Sequence, residues 1–204
     1  MTVSELYEKL DQPSFQDTAS GDMFYNFFVF QYPAKDEYDI RHQIQTVKEN
    51  LKRPTNYIDT LTLDLFDEFC KFLDGQSFGK QNPSLMKFLM GMEKNSPDNI
   101  QKVLCQQANS QKFYEYIHQR VMDHISIIDE MKRPYVFVYG IGDMFPYLRT
   151  NVFLTNYEKY NETSRYKIIV FYPGERVGNT FKLFNVLEDA HTYRAHILLN
   201  ENNE

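Results

Sequence analysis

An α/β fold, with a mostly parallel sheet of about five strands flanked by helices, is what this 204-residue sequence predicts. Three observations lead there. Short continuous apolar runs end at chain-turning residues, as strands buried on both faces do. Between these runs lie longer stretches whose apolar residues recur every three or four positions, the helical period. The two kinds of segment alternate along the chain, which favours parallel pairing with helices over the sheet.

The elements follow in order. A short helix is expected over Val3 to Leu10, then a turn-rich stretch from Gln12 to Asp22, then a buried strand over Phe24 to Tyr32 that stops at Pro33. From Asp36 onward, Ile40, Ile44, Val47 and Leu51 mark one helical face, closed by Pro54. A strand over Tyr57 to Leu63 leads to Asp64, placed to cap a helix whose face is Leu65, Phe69, Phe72 and Leu73. Gly75 sits where a left-handed helix end belongs.

After a polar loop, Asn82-Pro83 and Ser96-Pro97 each carry the cap-then-proline signature of a helix start. The second of these helices keeps its spacing from Ile100 to Ile128, with a kink expected near Asn109-Ser110 and a stop at Lys132-Arg133-Pro134. Tyr135 to Tyr139 and Ile168 to Tyr172 then read as strands, separated by a helical segment from Phe145 to about Tyr160, and a last strand is expected over Tyr193 to Leu199. Residues 1–199 read as one domain and 200–204 as a disordered tail.

Composition narrows the function. The net charge is −6, with 22 basic and 28 acidic residues mixed along the chain, so no overall field exists to hold a phosphate backbone. The local basic groups, Lys48 with Lys52 and Arg53 and Lys132 with Arg133, fall at helix ends, where they complement the dipole. Cys70 and Cys105 have no paired spacing and read as reduced core thiols. No apolar run reaches membrane-spanning length, and the amino terminus lacks the apolar core of a signal peptide, so a cytoplasmic location is expected.

The motif searches point away from catalysis. Gly75 to Gln81 resembles a phosphate-binding loop but has three residues between its glycines, Gln81 where a metal-binding hydroxyl belongs, and a helix before it instead of a strand. Gly140-Ile-Gly142-Asp143 occupies the place of a dinucleotide-binding turn, yet Phe145 stands where the third glycine is needed. A tight turn with Asp143 capping the next helix accounts for it better. The five histidines show no paired helical spacing, Glu188 with Asp189 and His191 reads as an acidic turn, and no nucleophile elbow is present. No catalytic residue, metal or cofactor is expected.

One pattern suggests a contact surface. Three strands are expected to end in an aromatic followed by a turn residue: Tyr32-Pro33, Tyr139-Gly140 and Tyr172-Pro173-Gly174. In a parallel sheet these ends share the edge where open α/β folds place their crevices. Arg149, read as lying one or two turns into a helix, and Glu175-Arg176 would add charge there.

The stretches 27–44, 136–158 and 167–198 resemble the successive landmarks of the BrxB family of bacterial BREX phage-defence systems. A strand leads to Gly140 and Gly142, then the aromatic-proline segment Phe145 to Arg149, a strand followed by Pro173 to Glu175, Leu183-Phe184, and Tyr193-Arg194. Residues 64–130 carry no such landmark. The resemblance implies a non-catalytic component of a multi-gene system, with a PglZ-like protein of alkaline-phosphatase fold as direct partner. Tyr32, Tyr139, Gly140, Gly142, Asp143, Arg149, Tyr172, Pro173, Gly174, Glu175 and Arg176 are then the expected contact residues. The rival expectation is a nucleotide-binding switch with a degenerate site and no hydrolysis.

Overall fold

The computed structural model describes residues 1–16, 27–78, 84–129, 134–160, 165–177, 180–189 and 196–197. The helix α1 (Val3–Asp11) opens on a capping box in which Thr2 and Glu5 exchange side-chain and backbone hydrogen bonds, and a short α2 (Pro13–Gln16) follows. Next come β1 (Phe27–Tyr32), one 3-10 turn and α3 (Glu37–Leu51). The chain then forms β2 (Thr60–Asp64), α4 (Leu65–Asp74), α5 (Leu85–Met92), α6 (Pro97–Ala108), α7 (Gln111–Ser126), β3 (Tyr135–Tyr139) and α8 (Thr150–Glu158). It closes with β4 (Lys167–Val177), β5 (Thr180–Leu183), β6 (Leu187–Asp189) and β7 (His196–Ile197).

The expected α/β fold is present. Five strands run parallel in the order β2-β3-β4-β1-β7, and β5 and β6 extend β4 as an antiparallel hairpin. Successive residues of the central strands feed two apolar layers, as the two-residue strand period demands. Phe28 and Phe30 of β1, Tyr135 and Phe137 of β3, and Ile169 and Phe171 of β4 pack with α1 and α3. Phe27 and Val29, Val136 and Val138, and Ile168 and Val170 pack on the other face with α4 to α8. Both faces are covered, which is why these strands read as unbroken apolar runs.

Several local expectations are corrected. The segment after β2's neighbour α3 turns further than expected: Tyr57 takes φ +51° and Ile58 N donates back to Leu51 O at 2.8 Å, so β2 starts only at Thr60. Gly75 closes α4 with φ −73°, because its N–H reaches Lys71 O at 2.9 Å without a left-handed residue. The long helix is two helices rather than one kinked one. Asn109 ends α6, and the Ser110 hydroxyl accepts from Phe113 N at 3.3 Å to start α7 afresh.

The helix expected from Phe145 begins at Thr150. Residues 140–148 form successive tight turns, with Asp143 N bonded to Gly140 O and Phe145 N to Gly142 O, and Pro146 restricts the residue before it. Arg149 therefore stands at the helix start, and Asp143 caps nothing. The third strand does not stop at Tyr172 either. β4 runs on through Pro173 and Gly174 and exchanges its parallel pairing with β1 for antiparallel pairing with β5. The signals at Asn82-Pro83 and Lys132-Arg133, most of the strand expected over Tyr193 to Leu199, and the tail lie outside the described residues.

Candidate functional site

The carboxyl ends of β1, β2 and β3 share one edge of the sheet, with α3 leaving β1 on one face and α8 following β3 on the other. Connections leaving in opposite senses open a crevice at such an edge, the usual ligand position in parallel sheets. Here the crevice is occupied by the side chain of Arg41 from α3.

Three carboxylates from three elements surround that guanidinium. Arg41 Nε donates to Glu37 Oε1 at 2.7 Å one turn back on α3, Nη1 to Asp64 Oδ2 at 3.4 Å at the end of β2, and Nη2 to Asp143 Oδ2 in the turn after β3. The guanidinium also lies 5.9 Å from the centre of the Tyr139 ring, within cation–π range. Burial works to lower the Arg41 pKa, but the bonds to Asp143 and Glu37 outweigh it and hold the group firmly charged. Burial pushes the Asp64 carboxyl up, against two backbone N–H donors, Phe66 N and Asp67 N, that it accepts from as cap of α4. Tyr32 OH donates to the second oxygen of Glu37, and burial together with that carboxylate raises the phenol pKa far above its ordinary value.

The three tyrosines expected to form one row divide between the faces. Tyr32 is paired in register with Pro173, while Tyr172 is paired with Gln31. One residue of offset reverses a strand side chain. Tyr32 and Tyr139 thus meet the α1–α3 layer, and Tyr172, fully buried, belongs to the opposite layer. Tyr32 is buried as well, and only Tyr139 is half-buried.

The glycines have separate reasons. Gly140 holds φ +68°, and a Cβ on it would stand 2.5 Å from Asp64 Oδ1. At Gly142 a Cβ would meet the Phe184 ring at 2.6 Å, and at Gly174 it would strike the carbonyl of Lys182 across the β4–β5 ladder. Pro173 and Gly174 are buried, and the Pro173 carbonyl accepts from Phe184 N at 2.8 Å, which docks the hairpin on this edge. Asp143, Arg149 and Glu175 are exposed. The Arg149 guanidinium lies 5.8 Å from the centre of the Phe145 ring, Glu175 faces Lys182 across the ladder, and Arg176 follows in the same ladder opposite Phe181.

Sequence reasoning had found Tyr139, Gly140, Gly142 and Asp143 but not Arg41, Glu37 or Phe184. Their only signal was position: Glu37 and Arg41 share a helix flank at a spacing of four, and Phe184 falls in a family landmark.

The edge is poorly suited to phosphate. The first turn of α3, where a helix after β1 would otherwise welcome an anion, carries Glu37 and Asp39, with Asp36 just before it. Among the described residues no group of three or more metal-ligating side chains forms a metal site. A cavity of about 270 Å³ lies between α4, α5 and α6, lined mainly by Phe69, Leu73, Leu89, Ile100 and Leu104. Cys70 also lines it, half-buried rather than in the core, its thiol pKa raised by burial.

The family model for BREX protein BrxB matches residues 61–198, more than half of the chain. A BREX protein BrxB from Bacillus cereus (strain H3081.97) is 24% identical over 203 residues, spanning 98% of this chain and 96% of that protein. No solved structure matches the chain.

Proposed function

The chain belongs to the BrxB family, and on that premise we propose that it works as a non-catalytic scaffold or regulatory subunit of a BREX anti-phage system. Its partner in this reading is the PglZ-like protein of the same system, and it acts in the cytoplasm without contacting DNA by itself. The observation that carries the reading is the state of the crevice. Its carboxylates are held by Arg41, so the groups that would serve as acid, base or metal ligand already have a cation. What faces outward around it is a mixed aromatic and charged surface, the chemistry of a protein contact.

Within that surface the eleven expected contact residues take two roles. Tyr139, Asp143, Arg149 and Glu175 reach solvent and would touch the partner, with Arg176 beside them in the chain. Tyr32, Gly140, Gly142, Tyr172, Pro173 and Gly174 are buried and would shape the edge without touching it. Among the described residues no helix is long and apolar enough to cross a membrane. The net charge of −6 supports the absence of unaided DNA binding.

Co-expression with the PglZ-like protein of the same system, followed by size-exclusion chromatography with mass determination, tests the reading. A complex that co-elutes at a defined stoichiometry is the expected result. Separate elution at micromolar concentration would remove the proposed partner.

A further inference from the structure

We infer that the tip of the β5–β6 hairpin, with the acid-rich Arg41 crevice beside it, is the seat for a basic protein surface that has an apolar centre. The inference rests on the partner-binding reading above and specifies which part of the edge the partner meets.

The first observation is the backbone of the hairpin turn. Phe184 and Asn185 both hold left-handed conformations, at φ +54° and +62°. Tight hairpin turns give such positions to glycine, asparagine or aspartate, and a bulky aromatic there is strained. Strain of this kind persists where the surroundings hold it and tends to gather at working surfaces. Here the surroundings are visible: the Phe184 ring lies on Gly142, and its N–H is bonded to Pro173 O at 2.8 Å.

The second observation is what the turn displays. Phe184 is 37% exposed and Val186 76% exposed, two apolar side chains where a hairpin tip ordinarily places polar ones. The Phe184 ring lies on Gly142, the residue before Asp143 in the chain, and so brings the turn to the Asp143 end of the Arg41 network.

Charge selects the occupant. Glu37, Asp64 and Asp143 give three negative charges against the one positive charge of Arg41, so the network itself keeps an excess of two negative charges, while the exposed Arg149 lies over the Phe145 ring and not among these carboxylates. Glu175 is offset by Lys182 opposite it in the ladder and changes nothing in this balance. A surface carrying lysine or arginine around an apolar hollow complements both features: the hollow takes the Phe184 and Val186 side chains, and the cations face the carboxylates.

The test measures binding of the PglZ-like protein of the same system to the full chain and to three variants at low and high salt. Val186→Lys and Val186→Glu alter a side chain directed at solvent. Phe184→Asn keeps the left-handed backbone and removes the ring. The expected results are about tenfold weaker binding for Phe184→Asn and Val186→Lys, a smaller loss for Val186→Glu, and weaker binding of the unaltered chain as salt rises. If the unaltered chain binds and the variants match it, the partner reading stands and this seat is overturned. Equal effects of Val186→Lys and Val186→Glu, with no salt dependence, overturn the basic occupant. If the unaltered chain itself fails to bind, the partner reading falls and this inference falls with it.

Discussion

Arg41 Nη2 donates to Asp143 Oδ2 across 102 positions of sequence, tying the helix that follows β1 to the turn that follows β3. The same guanidinium holds Glu37 and Asp64, so one side chain joins both layers of the fold at the sheet's carboxyl edge.

Replacing Arg41 with alanine leaves three carboxylates facing one another. The site is partly open to water, so the expected loss is about 1–2 kcal/mol, more than an isolated surface pair and less than a fully buried one. Arg41→Lys should recover only part of it, because an ammonium cannot reach three acceptors with the geometry of a planar fork. Urea denaturation checks both. Equal stability of Arg41→Ala and the unaltered chain would show the network to be decorative.

Tyr139 and Tyr172 separate contact from packing. Tyr172→Ala empties a fully buried position and should cost about 3–5 kcal/mol of stability. Tyr139→Ala touches a half-buried ring and should fold, so any loss of partner binding can be read directly. Thermal unfolding of both variants beside a binding assay decides. A folded Tyr172→Ala that has lost only the partner would place that ring at the contact after all.

Two glycines should respond in opposite directions to alanine. Gly91 lies within α5 and nothing stands within 4 Å of a Cβ built there, so Gly91→Ala should stabilise by about 0.5–1 kcal/mol. Gly142→Ala must displace the Phe184 ring and should cost about 1–3 kcal/mol. Combining it with Phe184→Asn should remove most of that cost, a coupling that a double-mutant cycle reads.

Acid sensitivity should trace to Glu68, a buried carboxylate on α4. It accepts from Lys71 Nζ at 3.0 Å, Tyr116 OH at 2.8 Å and Arg120 Nε at 3.2 Å. Burial works to raise its pKa, but these donors and the Arg120 charge outweigh it and lower the value below the ordinary 4.5. An acid depressed in the folded state binds protons more readily when unfolded, so its stabilisation is complete above pH 4.5 and is lost as pH falls through the folded value. Glu68→Gln should therefore be less stable at neutral pH and should approach the unaltered chain on acidification. A constant gap between pH 7 and pH 3 would contradict this.

Nucleotide should leave the melting temperature unchanged. A ligand that binds only the folded state raises it by mass action, and the carboxylates in the first turn of α3 oppose phosphate there. A rise with ATP that disappears in Gly142→Ala would restore the nucleotide-switch reading.

The legible and the illegible parts of this protein differ by the range of the interactions behind them. The cap at Asp64 was readable because it stands next to the helix it starts, and the start after Ser96 because Pro97 suits the first helical position. The helical face Ile40, Ile44, Val47 and Leu51 was readable from its spacing and is buried as expected. Gly140 was readable as a turn because it follows a strand. Arg41 had no such local mark, since its partners Asp64 and Asp143 come to it only when β2 and β3 lie beside each other in the sheet.

The sequence by itself determined the class of fold, the strands buried on both faces, the turn at Gly140 and, through its landmarks, the family. Each depends on period, on neighbours a few residues away or on ordered motifs. Only the tertiary structure decided that Tyr172 faces away from Tyr32, that β4 continues through Pro173-Gly174, and that a guanidinium occupies the crevice. Register explains the first: one residue of offset between paired strands reverses a side chain, and the offset is set by contacts more than a hundred residues apart.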